Sequence, residues 1–504
     1  MASLVGIDIG TQGVKAALYT ADGLCLAEAF RPSRPLRPEP GTVEEDPEFQ
    51  YTSALEVVAE CLAKAGEPGR DVAALGIAGQ MAGVLGIDRA GRAVTPYDSW
   101  LDTRCSAQIV EMSREAGDEI LGKTGNAPSF NHGPKILWWK QTRPEAYARI
   151  HAFVQPGGYV AMRLCGLDGA EAFIDATYLH FSGYADTRRR AWDADLCARF
   201  GIDPGKLPRI VAPHEVVGRI SSEAARASGL PEGLPVVAGC GDTAASFLSC
   251  GATREGICVD VAGTASVFAA TTSEFIADPS RTLGCGPSVV PGLWHPYAYV
   301  NGGGQNLEWF RGTILKGRLS FEELNRLPEV ADADPLRDAS LPFFVPHLGG
   351  RVSPNWPALR GGWVGLGWDA SEGTLFRSML EGVALEYGLY RRALRALLPG
   401  FEIGEIRITG GGEKSAPWNR IKADRLRADV VGIARAGGAP VGAALLAGHG
   451  VGLFPALATA ADCWTVLGAR TRPAADPRIA ALGEARIGRY AALLDALHGW
   501  SAAS

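Results

Sequence analysis

The chain has 504 residues, which is enough for two or three domains that each bury a hydrophobic core. Hydrophobic residues make up 47% and charged residues 21%, a balance that excludes a largely disordered chain. The formal net charge of −6 is too mild for a protein that binds nucleic acid or a membrane surface. Small-molecule chemistry is therefore the default expectation.

The cysteines and one apolar run exclude further classes. The ten cysteines include no pair separated by two residues, so neither a zinc knuckle nor a redox pair is indicated, and a reducing, cytoplasmic location fits best. The first apolar stretch carries Asp8 and lacks a preceding basic region, which does not fit a signal peptide. The nearly uncharged run 441–458 is too short and too rich in Gly, Pro and His for a membrane span, so we expect a buried helix and a turn there.

The chain opens with a strand, a glycine turn and a returning strand. Residues 4–10 form an apolar run that ends at Gly10-Thr11, and a second strand follows over 14–19. Asp8, beside this turn, is placed where Mg²⁺ would be held mostly through waters, and Lys15 would add positive charge. A strand-end aspartate bound by the amides of its own turn is the alternative.

A helix follows the opening strands. Asp46-Pro47 predicts a helix start, with Asp as the N-cap and Pro at the first helical position, and Gly66 predicts its end. Strands followed by a helix indicate an α/β unit.

The second half of the chain repeats the opening pattern. Residues 258–268 echo residues 5–18, with an apolar strand, a Gly263-Thr264 turn and a returning strand, and this predicts two similar halves. Chance likeness between two short apolar strands is the alternative. A later strand around Ile406 ends at Gly410-Gly411-Gly412 before a helix over 415–427, a place where backbone N–H groups can approach phosphate or nucleotide. An ordinary tight turn would contain the same glycines.

Asp242 is the strongest candidate for a catalytic group. It follows a short strand over 235–238 and the glycine bend 239–241, and it precedes a helix-like run. The helix dipole there favours the ionised carboxylate, which suits a general base in phosphoryl transfer. An aspartate that only caps the helix is the alternative. We place the domain boundary just after this segment, giving domains 1–246 and 247–504.

Two further segments suit a polyhydroxyl ligand, which prefers bidentate polar groups beside a flat apolar face. A small-residue strand over 75–78 leads to Gln80-Met81-Ala82, and Trp100, Asp102 and Arg104 lie within five residues of each other. A surface Asp–Arg pair with a core tryptophan is the alternative.

Taken together, these segments resemble the FGGY carbohydrate kinases, most closely the xylulokinase branch, over residues 4–452. The resemblance rests on motifs in the family's order: Gly6-Ile7-Asp8-Ile9-Gly10-Thr11 with Lys15, Glu44 with Asp46-Pro47, Gln80-Met81, Trp100 with Asp102 and Arg104, Thr124-Gly125-Asn126, Pro134-Lys135-Ile136-Leu137-Trp138, Gly241-Asp242, Gly263-Thr264 with Ser266, and Gly410-Gly411-Gly412 with Trp418, Ala423 and Asp424. It implies two duplicated actin-like (ribonuclease H-like) α/β domains with ATP and sugar in the cleft between them.

The resemblance also implies a mechanism and a set of site residues. Asp242 would take the proton from a terminal sugar hydroxyl while the γ-phosphoryl group of Mg-ATP is transferred in line. Asp8 would hold Mg²⁺. The nucleotide contacts would be Thr11, Gln12, Lys15, Gly263, Thr264, Gly410, Gly411 and Gly412. The sugar contacts would be Gln80, Met81, Ala82, Trp100, Asp102, Arg104 and Thr243.

Two departures bear on the substrate. Xylulokinases usually have His where this chain has Ala82 and Asn where it has Thr243, and both positions face the sugar in that family. D-xylulose, converted to D-xylulose 5-phosphate, is the expected substrate, while ribulose, L-xylulose, erythritol and glycerol-like polyols stay open.

Two other classes of protein also stay open. An actin-like ATPase would leave the sugar segments without a task, and a sugar-binding regulator would not need Asp8 and Asp242. We expect a sugar and ATP as partners, with no nucleic acid and no membrane, and leave a homodimer open. Residues 455–504 are expected to pack as helices.

Overall fold

The structure is a computed structural model that describes residues 2–66, 69–331, 333–434 and 437–502. The chain forms two compact units, and each is built from three segments. Unit 1 contains Met1–Thr253, Cys285–Trp294 and Gly437–Thr465. Unit 2 contains Arg254–Gly284, His295–Ala436 and Val466–Ser504.

The strands in the first half of the chain are β1 Ser3–Gly10, β2 Gly13–Thr20, β3 Cys25–Pro32, β4 Glu44–Glu45, β5 Val72–Gly79, β6 Leu85–Ile87, β7 Tyr97–Asp98, β8 Ala152–Val154, β9 Phe173–Asp175, β10 Ala185–Asp186, β11 Ala191–Trp192, β12 Arg209–Val211, β13 Val216–Arg219, β14 Pro235–Val237 and β15 Cys240–Gly241. Those in the second half are β16 Ile257–Ala262, β17 Ser266–Ala270, β18 Gly284–Pro287, β19 Trp294–Val300, β20 Phe343–Val345, β21 Arg351–Val352, β22 Asn355–Trp356, β23 Gly362–Val364, β24 Glu405–Thr409, β25 Asp429–Ile433 and β26 Leu467–Thr471.

The α-helices are α1 Pro47–Ala65, α2 Ser106–Thr124, α3 His132–Thr142, α4 Pro144–Arg149, α5 Pro156–Cys165, α6 Ala194–Arg199, α7 Ser222–Ser228, α8 Asp242–Ser249, α9 Gly303–Trp309, α10 Phe321–Arg326, α11 Pro328–Ala331, α12 Glu372–Leu397, α13 Ala416–Leu426, α14 Ala439–Gly450, α15 Leu457–Trp464 and α16 Pro477–Ala502.

Unit 1 is built on a mixed sheet with the strand order β13-β14-β5-β1-β2-β3, and β15 also pairs with β5. Strands β1 and β2 form the antiparallel pair that the sequence predicts, β3 pairs antiparallel with β2, and β5 runs parallel to β1. One face of the sheet packs on α1, which begins after the Asp46 N-cap and ends at Gly66 in the left-handed conformation, as predicted.

Helix α14 packs against the other face of β1 and β5. Strand glycines allow this close approach: a Cβ on Gly6 would lie 1.9 Å from Pro440 O, and one on Gly76 would lie 2.2 Å from Ala443 O. The helix confirms the buried helix expected within the apolar run 441–458. Among the described residues, no helix has the length and apolar character needed to cross a membrane.

The two units differ from the predicted ranges 1–246 and 247–504. The first transition, between Thr253 and Arg254, lies close to the predicted boundary, but the chain returns to unit 1 twice afterwards. The longer return, Gly437–Thr465, belongs to unit 1 because α14 buries its apolar surface on β1 and β5. A single boundary cannot describe that arrangement.

Unit 2 repeats the central pattern of unit 1. Strands β16 and β17 form an antiparallel hairpin, β24 runs parallel to β16, and β25 runs parallel to β24. The expected helices near the C-terminus are present as α15 and α16, but β26 pairs antiparallel with β25 between them. Most residues of β26 are exposed, so its sequence lacks the alternating pattern that would have predicted this edge strand.

Candidate active site

Asp242 is the first residue of α8 and directly follows β15, which pairs with the end of β5. The bend before it needs glycine, because Gly239 adopts a φ of +74° and a Cβ there would lie 1.7 Å from Ile77 O. Gly241 is the N-cap of the helix, so the alternative of a purely capping aspartate does not describe this geometry. Asp242 is half-buried, at the carboxyl end of β5.

Burial and two hydrogen bonds act in opposite directions on the pKa of Asp242. Its Oδ1 accepts hydrogen bonds from the Thr243 N–H at 2.6 Å and from the Thr243 hydroxyl at 3.2 Å. Burial raises the pKa of Asp242 to about 6, although these hydrogen bonds act to lower it. Burial therefore outweighs the two hydrogen bonds from Thr243. A carboxylate with this pKa is mostly ionised at neutral pH and is suited to accept a proton.

Asp8 lies on β1, two residues before the glycine turn. Its Oδ1 is buried and has no hydrogen-bond partner in the described part of the chain, so the alternative of an aspartate bound by its own turn is not seen for this atom. Burial and then the charge of Asp242 hold the pKa of Asp8 well above its usual value, while Lys15, opposite it in the hairpin, lowers it. Two carboxylates thus lie close together with one lysine nearby.

This arrangement fits Mg²⁺. Within the described ranges, no group of three or more His, Cys, Asp and Glu side chains could hold a metal ion. Mg²⁺ needs no such group, because it is usually bound through one or two carboxylates, several waters and substrate phosphates. An unpartnered carboxylate oxygen on Asp8, repelled by Asp242, is a donor of the required kind.

The first glycine turn is tied to the predicted sugar side. The hydroxyl of Thr11 accepts a hydrogen bond from the Trp100 indole N–H at 2.9 Å. The Trp100 side chain is 40% exposed, so its ring remains available to a ligand. Gln12 is exposed, and Lys15 forms an ion pair with Glu28 at 2.8 Å.

The segment after β5 is largely buried. Gln80 is fully buried and donates from Nε2 to Glu45 Oε1 at 2.8 Å, while its own Oε1 lacks a partner among the described residues. Met81 packs against Gly241, where a Cβ would lie 2.4 Å from the Met81 sulfur. Ala82 has a φ of +62°, in the left-handed region. The contribution of Glu45 was not recognised from the sequence, although it lies between the two motif residues Glu44 and Asp46.

Asp102 and Arg104 have internal partners. Asp102 Oδ2 accepts hydrogen bonds from the Val43 N–H at 2.9 Å and from Arg104 Nε at 2.8 Å. Arg104 also forms ion pairs with Asp98 and Glu44. Asp102 is only 2% exposed, so this pair braces the loop that carries Trp100, and the direct sugar contacts expected from both stay a prediction. The hydroxyl of Thr243 is likewise engaged, with Asp242.

In unit 2, the turn Gly263-Thr264 lies against the start of α9. The N–H of Gly304 donates to Gly263 O at 2.9 Å, and the N–H of Gln305 donates to Thr264 O at 3.0 Å. A Cβ on Gly303 would lie 2.0 Å from Ser266 Oγ, so this approach needs glycine. Sequence reasoning missed this segment, although the run 302–304 is a triple glycine like 410–412.

The second triple glycine packs on the same hairpin. A Cβ on Gly410 would lie 2.8 Å from Ala262 O, and one on Gly412 would lie 2.6 Å from Ala262 Cβ. Gly411 has open space on its Cβ side. The following helix α13 begins after the Ser415 N-cap and lies within the predicted range 415–427. Backbone groups of two glycine-rich turns thus lie together within unit 2, in a form that a nucleotide phosphate can approach.

Asp260 lies on β16 at the position that Asp8 has on β1, two residues before the end of the strand. Its two carboxylate oxygens accept hydrogen bonds from the Lys422 ammonium group and, at 2.7 Å, from the Tyr387 hydroxyl. Asp260 and Lys422 are both fully buried. The sequence echo did not reveal this lysine, and matching the two Gly-Thr turns aligns Asp260 with Ile7 instead of Asp8.

Comparisons with known proteins agree with this arrangement. The model for the N-terminal domain of the FGGY family of carbohydrate kinases matches residues 3–249, and the model for its C-terminal domain matches residues 258–451. The chain is 27% identical over 471 residues to a xylulose kinase of Bacillus subtilis (strain 168), which covers 92% of this chain and 91% of that protein. It is 30% identical over 425 residues to a xylulose kinase of Klebsiella pneumoniae, covering 83% and 84% of the two chains. The crystal structure of a xylulose kinase from Rhodospirillum rubrum is similar, with a TM-score of 0.90 at 28% identity and 99% coverage of both chains.

Proposed function

The chain belongs to the FGGY family of carbohydrate kinases and is a sugar kinase, and we propose that it phosphorylates the terminal hydroxyl of D-xylulose with ATP. The mixed sheets of the two units and the likeness to a solved kinase structure confirm the expected duplicated, actin-like α/β fold. The observation that carries the proposal is the half-buried Asp242 carboxylate, with a pKa raised to about 6 beside Asp8.

In the proposed reaction, Asp242 accepts the proton of the terminal sugar hydroxyl. The hydroxyl oxygen forms a bond to the γ-phosphorus of ATP in line with the bond that breaks, and ADP leaves. Thr243 holds Oδ1 of Asp242 through its N–H and its hydroxyl, so Oδ2 is the oxygen left to take the proton. Mg²⁺ held by Asp8 would neutralise the charge on the phosphate oxygens when bound.

The nucleotide contacts are proposed in both units. In unit 1, Thr11 and Gln12 of the first turn, together with Lys15, would bind phosphate oxygens. In unit 2, Gly263-Thr264 would bind phosphate, and the segment 410–412 would lie against adenosine. Short backbone turns without side chains suit this role because their N–H groups reach phosphate oxygens directly.

D-xylulose is proposed from the relatives that are named xylulose kinases and from the exposed ring of Trp100. Gln80, Met81 and Ala82 would line the sugar side. Two observations favour a second candidate, a different ketose or polyol: Ala82 presents only a methyl group, and the hydroxyl of Thr243 is engaged with Asp242. A sugar hydroxyl left without a partner costs about 1–3 kcal/mol of binding free energy.

The test is coupled ADP release with Mg-ATP across D-xylulose, L-xylulose, D- and L-ribulose, erythritol and glycerol. We expect the highest kcat/KM with D-xylulose and a loss of about 1,000-fold in Asp242→Asn. The matched control is Asp193→Asn, since Asp193 also lies at a helix start but caps α6. It should keep the activity of the original chain.

Other outcomes would change the assignment. If another acceptor gives the highest kcat/KM and Asp242→Asn loses activity with it, the kinase mechanism stands and that acceptor replaces D-xylulose as the substrate. ADP release that needs no acceptor would favour an actin-like ATPase. Tight sugar binding without ADP release would favour a regulator. Full activity in Asp242→Asn would show that the assigned base is wrong.

A further inference from the structure

A short 3₁₀ helix, Ala176–Phe181, binds the strands that position Asp242. The hydroxyl oxygen of Thr177 accepts a hydrogen bond from the Gly241 N–H at 2.9 Å, one residue before Asp242. The Tyr178 hydroxyl donates to Gly79 O at 2.8 Å, at the end of β5. Thr177 is 1% exposed and Tyr178 is 3% exposed. One buried segment therefore contacts both β5 and β15 where the carboxylate emerges.

Asp175 fixes the direction of the Thr177 hydroxyl. Its Oδ1 accepts a hydrogen bond from that hydroxyl at 2.6 Å and another from the Thr177 N–H at 2.8 Å. Because the hydroxyl hydrogen is directed to Asp175, a lone pair of the same oxygen faces the Gly241 N–H. The hydrogen bonds thus run in one direction, from the Gly241 N–H to the Thr177 hydroxyl and from that hydroxyl to the buried Asp175 carboxylate.

The start of α8 depends on the hydrogen bond between Thr177 and Gly241, which comes from outside the helix. Its N-cap is Gly241, which supplies no side-chain cap, and a Cβ at that position would collide with Met81. A helix start without a capping side chain leaves backbone N–H groups that need other acceptors. Thr177 supplies the acceptor for Gly241, so it holds the backbone that carries Asp242.

The free-energy cost of burying the Asp175 carboxylate indicates that its role is to orient the Thr177 hydroxyl. It is 3% exposed, and burial raises its pKa to about 7, opposed by hydrogen bonds from Thr177 and the backbone. In the ranges that the structure describes, no Lys, Arg or His is seen to neutralise it. Burying a carboxylate without a cation is unfavourable for stability. Its contribution must then come from the geometry that it imposes.

We propose that Thr177 and Asp175 are positioning residues for phosphoryl transfer, because their hydrogen bonds hold Gly241 and so fix the direction of the Asp242 carboxylate. The inference rests on the proposed role of Asp242 as the base. A displacement of about 1 Å in a reacting group can lower a rate about 100-fold without weakening substrate binding.

The experiment compares Thr177→Val, Thr177→Ser and Asp175→Asn with the original chain. The substrates are Mg-ATP and D-xylulose, or the acceptor with the highest kcat/KM in the panel above. We expect Thr177→Val to lower kcat about 100-fold, with the KM for ATP unchanged within about twofold. Thr177→Ser, which keeps the hydroxyl, should retain kcat within about threefold. Asp175→Asn should lower kcat about tenfold, since its amide can still accept from the hydroxyl.

Thr253→Val is the matched control for loss of a buried threonine. Thr253 is 7% exposed and donates to Asp462 Oδ1 at 2.8 Å, beyond the opposite end of α8. This variant should lose stability like Thr177→Val but keep kcat within about twofold. Thermal unfolding of each variant gives the comparison of stability.

The outcomes separate the two proposals. If Thr177→Val loses no more kcat than Thr253→Val, or if Thr177→Ser does no better than Thr177→Val, the positioning role is overturned. If Thr177→Val does not fold, the variants Asp175→Asn and Thr177→Ser decide. The positioning role is overturned if both variants keep the kcat of the original chain. It is supported if only Asp175→Asn loses kcat. Activity retained in Asp242→Asn would instead overturn the proposed base, whatever the Thr177 variants show.

Discussion

In unit 1, the hairpin β1–β2 places Asp8 two residues before its turn, with Oδ1 buried and without a partner among the described residues. In unit 2, the hairpin β16–β17 places Asp260 two residues before the end of its first strand, as Asp8 is in β1, and Asp260 is bound by Lys422 and Tyr387. The backbone pattern is the same, with an antiparallel partner on one side and a parallel strand on the other. The duplication has therefore kept the pairing of the strands, although the loop has two residues in β1–β2 and three in β16–β17, and the aspartate near each strand end has different partners.

The difference follows from the side chains that surround each carboxylate. Near Asp8 lie a second carboxylate, Asp242, and Lys15, whose ammonium group is already paired with Glu28. Around Asp260, a lysine and a tyrosine hydroxyl neutralise and bind both oxygens. One hairpin leaves a carboxylate oxygen without a partner among the described residues, and the other uses its carboxylate to hold β16 to α13.

The largest expected effect comes from Asp8→Asn. We expect kcat/KM to fall about 1,000-fold, because a neutral amide is a poor ligand for Mg²⁺ beside phosphates. The free energy of unfolding at pH 7.5 should not fall, since an unpartnered buried charge is removed. Steady-state kinetics and urea denaturation test both parts. Activity above a tenth of the original would contradict the cation role of Asp8.

In the second hairpin, β16–β17, we expect substitution to change the free energy of unfolding. Lys422→Met leaves Asp260 buried without its cation, so we expect a loss of about 3–5 kcal/mol in the free energy of unfolding. The double variant Asp260→Leu/Lys422→Met should recover most of that loss, because an apolar pair needs no compensating charge. Urea denaturation of both single variants and the double variant gives the coupling free energy. A double variant as unstable as Lys422→Met would refute the internal role of the pair.

The pH dependence of catalysis tests the first hairpin again. With a pKa of about 6, Asp242 loses its charge below that pH, so kcat/KM should be about tenfold lower at pH 5 than at its plateau. Initial rates between pH 5 and 8, with the coupling enzymes controlled at each pH, check this. A rate that stays flat down to pH 5 would show that the titrating group is not the base.

The same pKa has the opposite consequence for stability. Because the folded-state pKa of Asp242 lies above the ordinary value of 3.8, the folded protein binds this proton more tightly than the unfolded chain. Its contribution to stability is present below about pH 4 and is lost as the pH rises through about 6. Asp242→Asn should therefore raise Tm more at pH 7.5 than at pH 4.5, and scanning calorimetry at the two values measures it. An equal gain at both would contradict the raised pKa.

The smallest effect concerns the glycine turn after β24. Gly412→Ala would place its Cβ 2.6 Å from Ala262 Cβ, so we expect a loss of about 1–3 kcal/mol in stability. Gly411→Ala has open space, and its stability should change by less than about 0.5 kcal/mol. If adenosine lies against this turn, Gly411→Ala should raise the KM for ATP several-fold while Gly412→Ala unfolds more easily. Equal KM values in Gly411→Ala and the original chain would place the nucleotide elsewhere.

Local patterns accounted for much of the fold. The hairpin turns, the ends of α1 and the start of α13 follow from glycine, proline and capping residues, which act over a few positions. The positions of Asp8 and Asp242 at strand ends were also predictable, since a strand end is a local feature. Their mutual repulsion was not, because it depends on a contact between residues far apart in the chain.

Long-range side-chain partners were beyond the sequence. The Lys422–Asp260 pair joins residues separated by 162 positions, and the Thr177–Gly241 hydrogen bond joins residues separated by 64. Nothing in the periodicity around these residues specifies such partners. The same holds for Asp102 and Arg104, whose type suits a sugar contact but whose partners lie within the protein.

The return of Gly437–Thr465 to unit 1 sets an order of events during synthesis. The ribosome must add roughly 200 residues after Thr253 before α14 exists, which takes about 10–40 s at ordinary rates of translation. During that interval, the face of β1 and β5 that α14 covers in the finished molecule is bare on the nascent chain, with its strand glycines leaving the backbone exposed. The half of the molecule that emerges first is thus completed late.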